Sequence, residues 1–398
     1  MTTTDRILRL KASLDHPLLI KKKENLLYLT GCLFMHGYLL VQPISGARAA
    51  RLKKRGTYAT MVFFGDGLEK VAGIKADRLR NVAQYLGKAD KLEVEDEFTL
   101  AEYEFVKAKI KDSGLRLKVE PVRSPVDLQR MVKDPGEIAL VKKSMEIVER
   151  VFHRVRSELK KPGMTERRLA DFIKSEGLRL GAEDVSFAPI VASGANAAIP
   201  HHVPRHKKLK KGESIILDFG FKYKGYCSDF TRTVFLKTAP RKLADAYNQV
   251  EEAYNTSISF VSSRPSHPQG DERRYPLNDN YRKNNIKGIP RSAALPRNDK
   301  RILAGDVYQK SVDVLKEKKL DKYYIHSLGH GTGLEIHELP NLAPGSKQEL
   351  QNGMVFSIEP GVYLPGAGGV RIEDLVYLKE ERAKRFIDVS TRLADNII

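Results

Sequence analysis

Five acidic or imidazole side chains in apolar surroundings are the residues of this chain best suited to chemistry. Each lies in or beside a short apolar run, where an uncompensated carboxylate would be costly. They are Asp218, Asp229, His330, Glu359 and Glu373. Carboxylate oxygens with one imidazole are typical ligands of divalent cations such as Mn²⁺ or Co²⁺. The pattern predicts metal-assisted hydrolysis, in which two cations share a hydroxide and polarise a carbonyl.

The elements around these residues are predicted to be short antiparallel strands covered by helices. Residues 215–218 and 222–233 are expected to be consecutive strands, joined by a hairpin-like turn at 220–225. Such a hairpin would hold Asp218 and Asp229 opposite each other on one face. Apolar residues at every third or fourth position predict helices over 137–159 and 241–258. A further helix is expected from Thr165, a suitable capping residue, to about residue 180.

Two domains are predicted, with residues 1–130 forming the first and 131–398 the second. The first alternates helical and strand-like segments, which is typical of an α/β layer. A proline-containing extended seam over 120–125 separates it from the long helical pattern that follows. Residues from about 261 to 301 interrupt the second domain, because they are polar, aperiodic and rich in Pro, Asn and Arg. A disordered surface insertion, a sequence artefact and a basic arm for a partner all remain open.

Composition excludes some classes of protein. No apolar run approaches the roughly 20 residues of a membrane span, and the N-terminus has no secretory pattern, so no membrane partner is expected. Only Cys32 and Cys227 are present, which is typical of a reducing cytoplasm. The net charge of +19 would favour nucleic acid. The basic clusters lack interleaved aromatic residues, however, and nucleic acid is not expected as the main ligand.

The motifs around the five residues resemble those of the pita-bread metallopeptidases. The resemblance is strongest to the proline-specific branch, the Xaa-Pro dipeptidases (prolidases) and aminopeptidases P. The motifs are Leu217-Asp218-Phe219-Gly220, Ser228-Asp229-Phe230-Thr231-Arg232-Thr233, Gly329-His330-Gly331-Thr332-Gly333-Leu334, Ile336-His337-Glu338, Ile358-Glu359-Pro360-Gly361 and Arg371-Ile372-Glu373-Asp374. Residues 25–31 also resemble that branch's smaller domain. The resemblance implies a two-domain α/β protein, with a small creatinase-like N-terminal α/β domain. Its C-terminal catalytic domain would be a pita-bread α+β domain with a curved antiparallel sheet.

The resemblance implies a dinuclear site with a role for each ligand. Asp218 would chelate one metal ion, and Asp229 and Glu373 would bridge both ions. His330 and Glu359 would complete the second ion's shell. Two divalent ions, Mn²⁺ or Co²⁺, are therefore the expected cofactors.

Catalytic roles follow from the same resemblance. Glu359 would act as general base towards the attacking water. His201 would lie near the scissile carbonyl, and His337 would bind substrate and stabilise the tetrahedral intermediate. Arg371 would support the carboxylates rather than contact substrate. Two further histidines have no implied role and are expected to face solvent: His202 and His206.

The predicted function is metal-dependent hydrolysis of the bond before proline, in dipeptides or at peptide N-termini. The substrate would be a small peptide with proline in second position, and the resemblance suggests a homodimer. Some prolidases carry an arginine where this chain has Asn341, so dipeptidase and aminopeptidase P both stay open. A methionine-aminopeptidase-like enzyme and a non-catalytic pita-bread module that binds protein or RNA also stay open.

Overall fold

The computed structural model of this chain describes residues 2–32, 37–43, 61–64, 70–71, 74–263 and 301–398. These residues form two compact units, Met1–Arg130 and Met131–Ile398. Most of the predicted insertion, residues 264–300, lies outside the described residues.

The first unit is an α/β layer built on a mixed sheet. Its elements are α1 (Thr3–Ser13), β1 (Leu18–Ile20), α2 (Lys23–Thr30), β2 (Tyr38–Val41), β3 (Met61–Phe64), β4 (Lys70–Val71), β5 (Ile74–Asp77), a 3₁₀ helix (Leu79–Tyr85), β6 (Lys91–Glu95), α3 (Leu100–Asp112), β7 (Lys118–Val122) and α4 (Pro125–Met131). Within the described residues the strand order is β4-β5-β3-β2-β1-β6-β7. Strand β1 is antiparallel to β2 and parallel to β6. Leu92 and Val94 of β6 pack on Val106 and Ile110 of α3.

The second unit carries the candidate site. Its helices are α5 (Pro135–Glu158), α6 (Glu166–Arg179), α7 (Arg241–Val261) and α8 (Ala304–Glu317), with 3₁₀ turns at Gly194–Ala198, Asp321–Tyr323 and Leu393–Asn396. Its strands are β8 (Asp184–Val185), β9 (Ile190–Ser193), β10 (Ser214–Asp218), β11 (Phe221–Tyr223), β12 (Tyr226–Cys227), β13 (Phe230–Phe235), β14 (Gly329–Gly331), β15 (Glu338–Leu342), β16 (Val355–Ile358), β17 (Gly361–Leu364), β18 (Gly368–Arg371), β19 (Glu373–Lys379) and β20 (Arg382–Arg385).

A large antiparallel sheet forms the centre of this unit. Among the described residues its strand order is β15-β14-β16-β19-β13-β10-β9, with β20 paired to β19. One side chain from each of α7, α8 and β16, namely Val250, Val307 and Phe356, belongs to the same buried core cluster. The two helices are also tied together, because Gln249 Nε2 donates to the Val314 carbonyl at 2.8 Å. The sheet therefore has a well-packed apolar backing behind its strands.

Capping chemistry explains where the two helices before the sheet begin. Asp134 caps α5 by accepting from Gly136 N and Glu137 N at 2.9 and 3.1 Å, and Pro135 occupies the first turn. Thr165 caps α6 by accepting from Arg168 N at 3.2 Å, so the predicted cap is confirmed. Local sequence therefore encodes both starts.

The predicted hairpin is wrong in its register. Residues 222–233 do not form one strand: β11 and β12 make a small separate pair, and the chain re-enters the large sheet only at β13. The turn between β11 and β12 has positive φ at Lys224 and Gly225, 47° and 80°, as a tight hairpin turn requires. Asp218 consequently lies opposite Thr231, not Asp229.

Even the long helices α5 and α7 are not membrane spans. Among the described residues, none of the helices combines the length and apolarity that crossing a bilayer requires.

Candidate metal centre

The five residues singled out in the sequence come from five adjacent strands of the large sheet. In strand order they are His330 in β14, Glu359 directly after β16, Glu373 opening β19, Asp229 directly before β13 and Asp218 closing β10. The pairing Thr231↔Glu373 joins β13 to β19 at the middle of this row. Residues separated by up to 155 positions in sequence are thus brought to neighbouring strands of one sheet.

Three of these side chains form a compact ligand cluster. One ligand atom from each of Asp229, His330 and Glu373 lies within 4.8 Å of the other two. His330 Nε2 is also 3.4 Å from Glu359 Oε1 and 3.5 Å from Asp229 Oδ2. These separations suit side chains arranged around a shared cation, which would sit between them.

The hydrogen bonds of His330 fix how its imidazole faces the cluster. Nδ1 lies 3.1 Å from the Gly331 carbonyl oxygen, which can only accept, so Nδ1 carries the proton. Burial lowers the pKa of His330, which favours the neutral ring. Nε2 then presents a lone pair to two carboxylates, an arrangement that is repulsive until a cation lies between them. A metal-binding histidine commonly has this tautomer, with its other nitrogen donating to a carbonyl.

Burial and mutual repulsion act on the carboxyl groups of the cluster. Burial, and then the charges of Glu373 and Asp218, raise the pKa of Asp229 well above its usual 3.8. Burial, and then Glu359 and Asp218, raise the pKa of Glu373 well above its usual 4.5. Acids this close ionise together only if positive charge is added. A divalent cation supplies such charge, so the donor set fits a metal.

Asp218 connects the cluster to an arginine. Its Oδ2 accepts a hydrogen bond from Arg371 Nη2, and its Oδ1 is buried without a hydrogen-bond partner in the described ranges. A buried, unsatisfied carboxylate oxygen is costly and is a further sign that a cation belongs there. Arg371 also donates to Tyr363 OH at 2.8 Å and to Thr231 Oγ1 at 3.2 Å. The arginine is therefore held rigidly beside the acids.

The two predicted catalytic histidines also lie near the cluster. The His337 ring stands edge-on to that of His330, with 4.3 Å between centroids. Burial, and then the charges of His330 and His201, lower the pKa of His337 to about 4. His337 is accordingly neutral at pH 7 and can donate a hydrogen bond without carrying charge. His201 is exposed, and its charge lowers the pKa of Asp218, although burial of that carboxyl group outweighs it.

Sequence reasoning missed His326, which lies four residues before His330. Its Nδ1 contacts the Ser327 carbonyl at 2.7 Å, and its Nε2 is 2.9 Å from Tyr363 OH. Because the Ser327 carbonyl can only accept, Nδ1 carries the proton of the neutral ring, and Tyr363 OH donates to Nε2. The only signal in the sequence was the closeness of His326 to the Gly329-His330 motif. The structure thus adds a histidine and a tyrosine to the surroundings of Arg371.

The expectation for His202 is wrong, whereas His206 is exposed as expected. His202 is 3% exposed, and its Nε2 lies 2.9 Å from Glu166 Oε2. A buried carboxylate partner provides the compensation that takes this imidazole out of water. The neighbouring His201 is exposed, so adjacent histidines have opposite environments that residue type alone does not distinguish.

The antiparallel sheet and its buried carboxylate–imidazole cluster have the fold and the donor set expected of a pita-bread metallopeptidase. The chain belongs to metallopeptidase family M24, whose model matches residues 139–268 and 293–380, more than half of the chain. The residues between the two matched segments fall within the predicted insertion.

The relatives of this chain match it over different lengths. A putative Xaa-Pro aminopeptidase of Mycoplasma genitalium is 34% identical over 256 residues, covering 64% of this chain and 62% of that protein. The chain thus matches less than two thirds of that relative. An Xaa-Pro dipeptidase of Pyrococcus horikoshii is 26% identical over 96% of this chain and 95% of its own length. A solved Xaa-Pro dipeptidase from Bacillus anthracis superposes with a TM-score of 0.80 at 26% identity, covering 98% and 99% of the two chains.

These comparisons confirm the family and the fold that the motifs predicted. The two-domain architecture with a pita-bread C-terminal domain agrees with the full-length superposition. Membership of a metallopeptidase family also agrees with the ligand cluster found in the described residues.

Proposed function

We propose that the chain is a metal-dependent Xaa-Pro peptidase that hydrolyses the bond before proline. The observation that carries the proposal is the buried cluster of Asp229, His330 and Glu373, with Glu359 in contact with the same imidazole nitrogen. Asp218, Asp229, His330, Glu359 and Glu373 would hold two divalent ions. When bound, such ions lower the pKa of water and polarise a substrate carbonyl.

The chain's own residues would then move protons and stabilise charge. Glu359 would take a proton from the attacking water and pass it to the leaving nitrogen of proline. Ser357 supports this role, because its hydroxyl donates to Glu359 Oε1 at 3.1 Å and so orients the carboxylate. His337, neutral by virtue of its low pKa, would donate a hydrogen bond to the oxyanion of the tetrahedral intermediate. His201 would lie near the scissile carbonyl, and His337 would also bind the substrate.

The substrate class rests on the relatives. They are named Xaa-Pro dipeptidase and Xaa-Pro aminopeptidase, and both activities hydrolyse a bond next to proline. Asn341 bears on the choice between them, since it pairs with His330 across β14 and β15 and is exposed. A neutral side chain there offers no charge to the carboxylate of a dipeptide. We therefore expect tripeptides and longer peptides to be accepted.

Hydrolysis of paired substrates tests the proposal. An X-Pro dipeptide and the matching X-Pro-Y tripeptide would be compared with added Mn²⁺, with Co²⁺ and after chelation. Cleavage before proline that disappears on chelation and returns with metal is the expected result. Absence of cleavage of both peptides, in folded and metal-loaded protein, would contradict the proposed activity.

The variant Asn341→Arg separates the two substrate classes. An arginine at this exposed position would face the free carboxylate of an X-Pro dipeptide. The expected result is a lower KM for the dipeptide with an unchanged KM for the tripeptide. If the KM for the dipeptide does not fall, position 341 does not contact the substrate carboxylate.

The proposal includes finer points of cofactor, location and assembly. We propose Mn²⁺ or Co²⁺ as the ions, the cytoplasm as the location, a homodimer as the assembly, and no nucleic-acid or membrane partner. The presence of only two cysteines, Cys32 and Cys227, supports the location. A methionine-aminopeptidase-like enzyme and a non-catalytic module are not favoured, since the named relatives are Xaa-Pro peptidases and the ligand cluster is intact.

A further inference from the structure

A single buried carboxylate holds both ends of the loop that carries His201. Glu166, the first residue of α6, is fully buried. Its Oε1 accepts from Ser193 N at 2.9 Å, from Ser193 Oγ at 2.7 Å and from Asn196 Nδ2 at 3.0 Å. Its Oε2 contacts His202 Nε2 at 2.9 Å and accepts from Arg205 N at 3.1 Å. Donors before and after His201 in sequence therefore converge on one side chain.

Backbone hydrogen bonds run in the opposite direction between the same segments. Glu166 N donates to the Lys207 carbonyl at 3.1 Å, and Arg167 N donates to the Arg205 carbonyl at 2.9 Å. The first amides of a helix lack partners within the helix, so the loop satisfies groups that α6 cannot. The loop and the start of α6 thus complete each other's hydrogen bonding.

We propose that Glu166 is a positioning residue for catalysis, which fixes the loop Ser193–Arg205 so that His201 is presented to the metal centre. The proposal rests on the function proposed above. The loop also contacts the arginine that holds Asp218, because Arg371 Nη1 donates to the Pro200 carbonyl at 3.4 Å. Residue 201 therefore lies between a contact to Arg371 on one side and the Glu166–His202 pair on the other.

The charge of Glu166 makes it a strong tether for this loop. Ordering an irregular loop costs backbone entropy at every residue, so a loop that carries a catalytic group needs strong tethers. Burial alone would raise the pKa of Glu166, but hydrogen bonds from Ser193, His202 and Asn196 outweigh burial and lower it. The carboxylate is thus ionised and its hydrogen bonds are charge-assisted, which makes them stronger than neutral ones.

The variant Glu166→Gln tests the proposal, with Glu176→Gln as its matched control. Glutamine keeps the shape and one acceptor oxygen, but it turns an NH₂ group towards His202 and Arg205 N. Glu176 lies on the same helix, is 7% exposed and pairs with Arg154 and Arg179 side chains. Both substitutions remove one buried negative charge from α6, and only the first touches the loop.

The first readout is independent of activity and metal. Arg205 is exposed, so trypsin reports loop opening through cleavage at this residue, followed by mass spectrometry of the released peptides. We expect the Glu166→Gln protein to be cut there about ten-fold faster or more, because local opening controls proteolysis. The Glu176→Gln protein should be cut at the wild-type rate.

The second readout is the division between kcat and KM for an X-Pro peptide in the metal-loaded enzyme. Displacing His201 should lower kcat about ten-fold or more in Glu166→Gln while KM changes by less than about two-fold, since near-attack geometry is lost. A purely structural role would lower the melting temperature and leave both constants of the folded enzyme unchanged. Glu176→Gln should behave in that way.

A double variant covers the case in which Glu166→Gln does not fold. Asn196→Ala with His202→Ala leaves the carboxylate in place and removes two side-chain donors from the loop, so the same changes should appear at smaller size. Faster cleavage at Arg205 with an unchanged kcat would overturn the positioning role, and unchanged cleavage would overturn the tether itself. If the wild-type protein is folded, metal-loaded and inactive on X-Pro peptides, the proposed function fails, and the trypsin result still decides whether Glu166 holds the loop.

Discussion

Two consecutive acids, Glu373 and Asp374 at the start of β19, have opposite electrostatic surroundings. Glu373 faces Asp229 and His330, and it accepts a hydrogen bond from the neutral Thr231 hydroxyl at 2.7 Å. Asp374 accepts from Arg232 Nη2 at 2.9 and 3.0 Å and from Tyr254 OH at 2.5 Å. Successive residues of a strand point to opposite faces, so one strand separates the two environments.

The difference shows that charge balance, rather than burial, distinguishes the two acids. Both carboxylates are at most 2% exposed. Around Asp374 the positive charges of Arg232 and Arg385 compensate the acid, and Arg385 Nε lies 3.1 Å from it. On the face of Glu373 the acidic side chains outnumber the cationic ones. We propose that a metal ion supplies the positive charge that this face lacks. The Asp374 face would then stabilise the sheet, and the Glu373 face would bind the cofactor.

The largest expected effect is the loss of hydrolysis on neutralising the Glu373 face. Glu373→Gln and Asp229→Asn should each lower kcat/KM by a factor on the order of 10³ or more, because metal stabilisation of transition-state charge is worth several kcal/mol. Circular dichroism should show a folded protein in both cases. Full activity in either variant would contradict the assignment of the ligands.

A substitution one residue later should act on stability instead. Asp374→Asn leaves the buried Arg232 guanidinium without its carboxylate, and breaking a buried pair from one side costs roughly 3–5 kcal/mol. Urea unfolding in the presence of a chelator measures this loss against the wild-type protein. The comparison between the two faces is wrong if Glu373→Gln is destabilised as strongly under the same conditions.

Metal addition should stabilise the protein only while the Glu373 face is intact. At a free Mn²⁺ concentration of about 100 times Kd, the gain is about 2.7 kcal/mol for one site. Thermal unfolding with and without Mn²⁺ would show a rise in Tm for the wild-type protein and for Asp374→Asn. The same rise in Glu373→Gln would mean that the ion binds elsewhere.

The smallest effect concerns the pH dependence of the metal-free protein. Burial and neighbouring acids raise the pKa of Glu373 above 4.5, so the folded state binds this proton more tightly than the unfolded state. Its stabilising contribution is therefore complete below about pH 4.5 and is lost as pH rises through the raised pKa. The free energy of unfolding of the chelated wild-type protein should fall relative to Glu373→Gln as pH rises from about 4.5 to 7. A constant difference would argue against a raised pKa.

Local sequence is enough to predict many features of the fold and of the candidate site. The motifs led to all five proposed ligands because each combines an unusual acid or histidine with Gly, Pro or β-branched neighbours that mark strand ends. The Thr165 cap was readable for the same reason, since capping depends on residues within one turn. Asp218 ends β10, and Asp229 directly precedes β13, the strand that pairs with β10. The two acids were therefore correctly placed on neighbouring strands, although the predicted hairpin register was wrong.

The remainder depends on contacts that sequence order hides. The motif resemblance implied that Arg371 supports the carboxylates, but only the structure identifies its partner as Asp218, 153 positions away. His202 resembled a surface residue because its partner Glu166 lies 36 positions earlier, in a different element. Glu373 and Asp374 are both acids in one apolar run, and the motif resemblance alone singled out Glu373. The three-dimensional arrangement of cations around Asp374 supplies the physical reason for that difference.

The packing of α7 against α8 determines how much free energy a longer connection between these two helices would cost. The chain leaves α7 at Val261 and re-enters α8 at Ala304, and the Gln249–Val314 hydrogen bond joins the two helices. Residues 264–300 thus belong to the 65-position segment that this hydrogen bond closes. Loop-closure entropy grows only as the logarithm of length, and even doubling a loop costs about 0.6 kcal/mol. A change in chain length at this point therefore costs little loop-closure free energy.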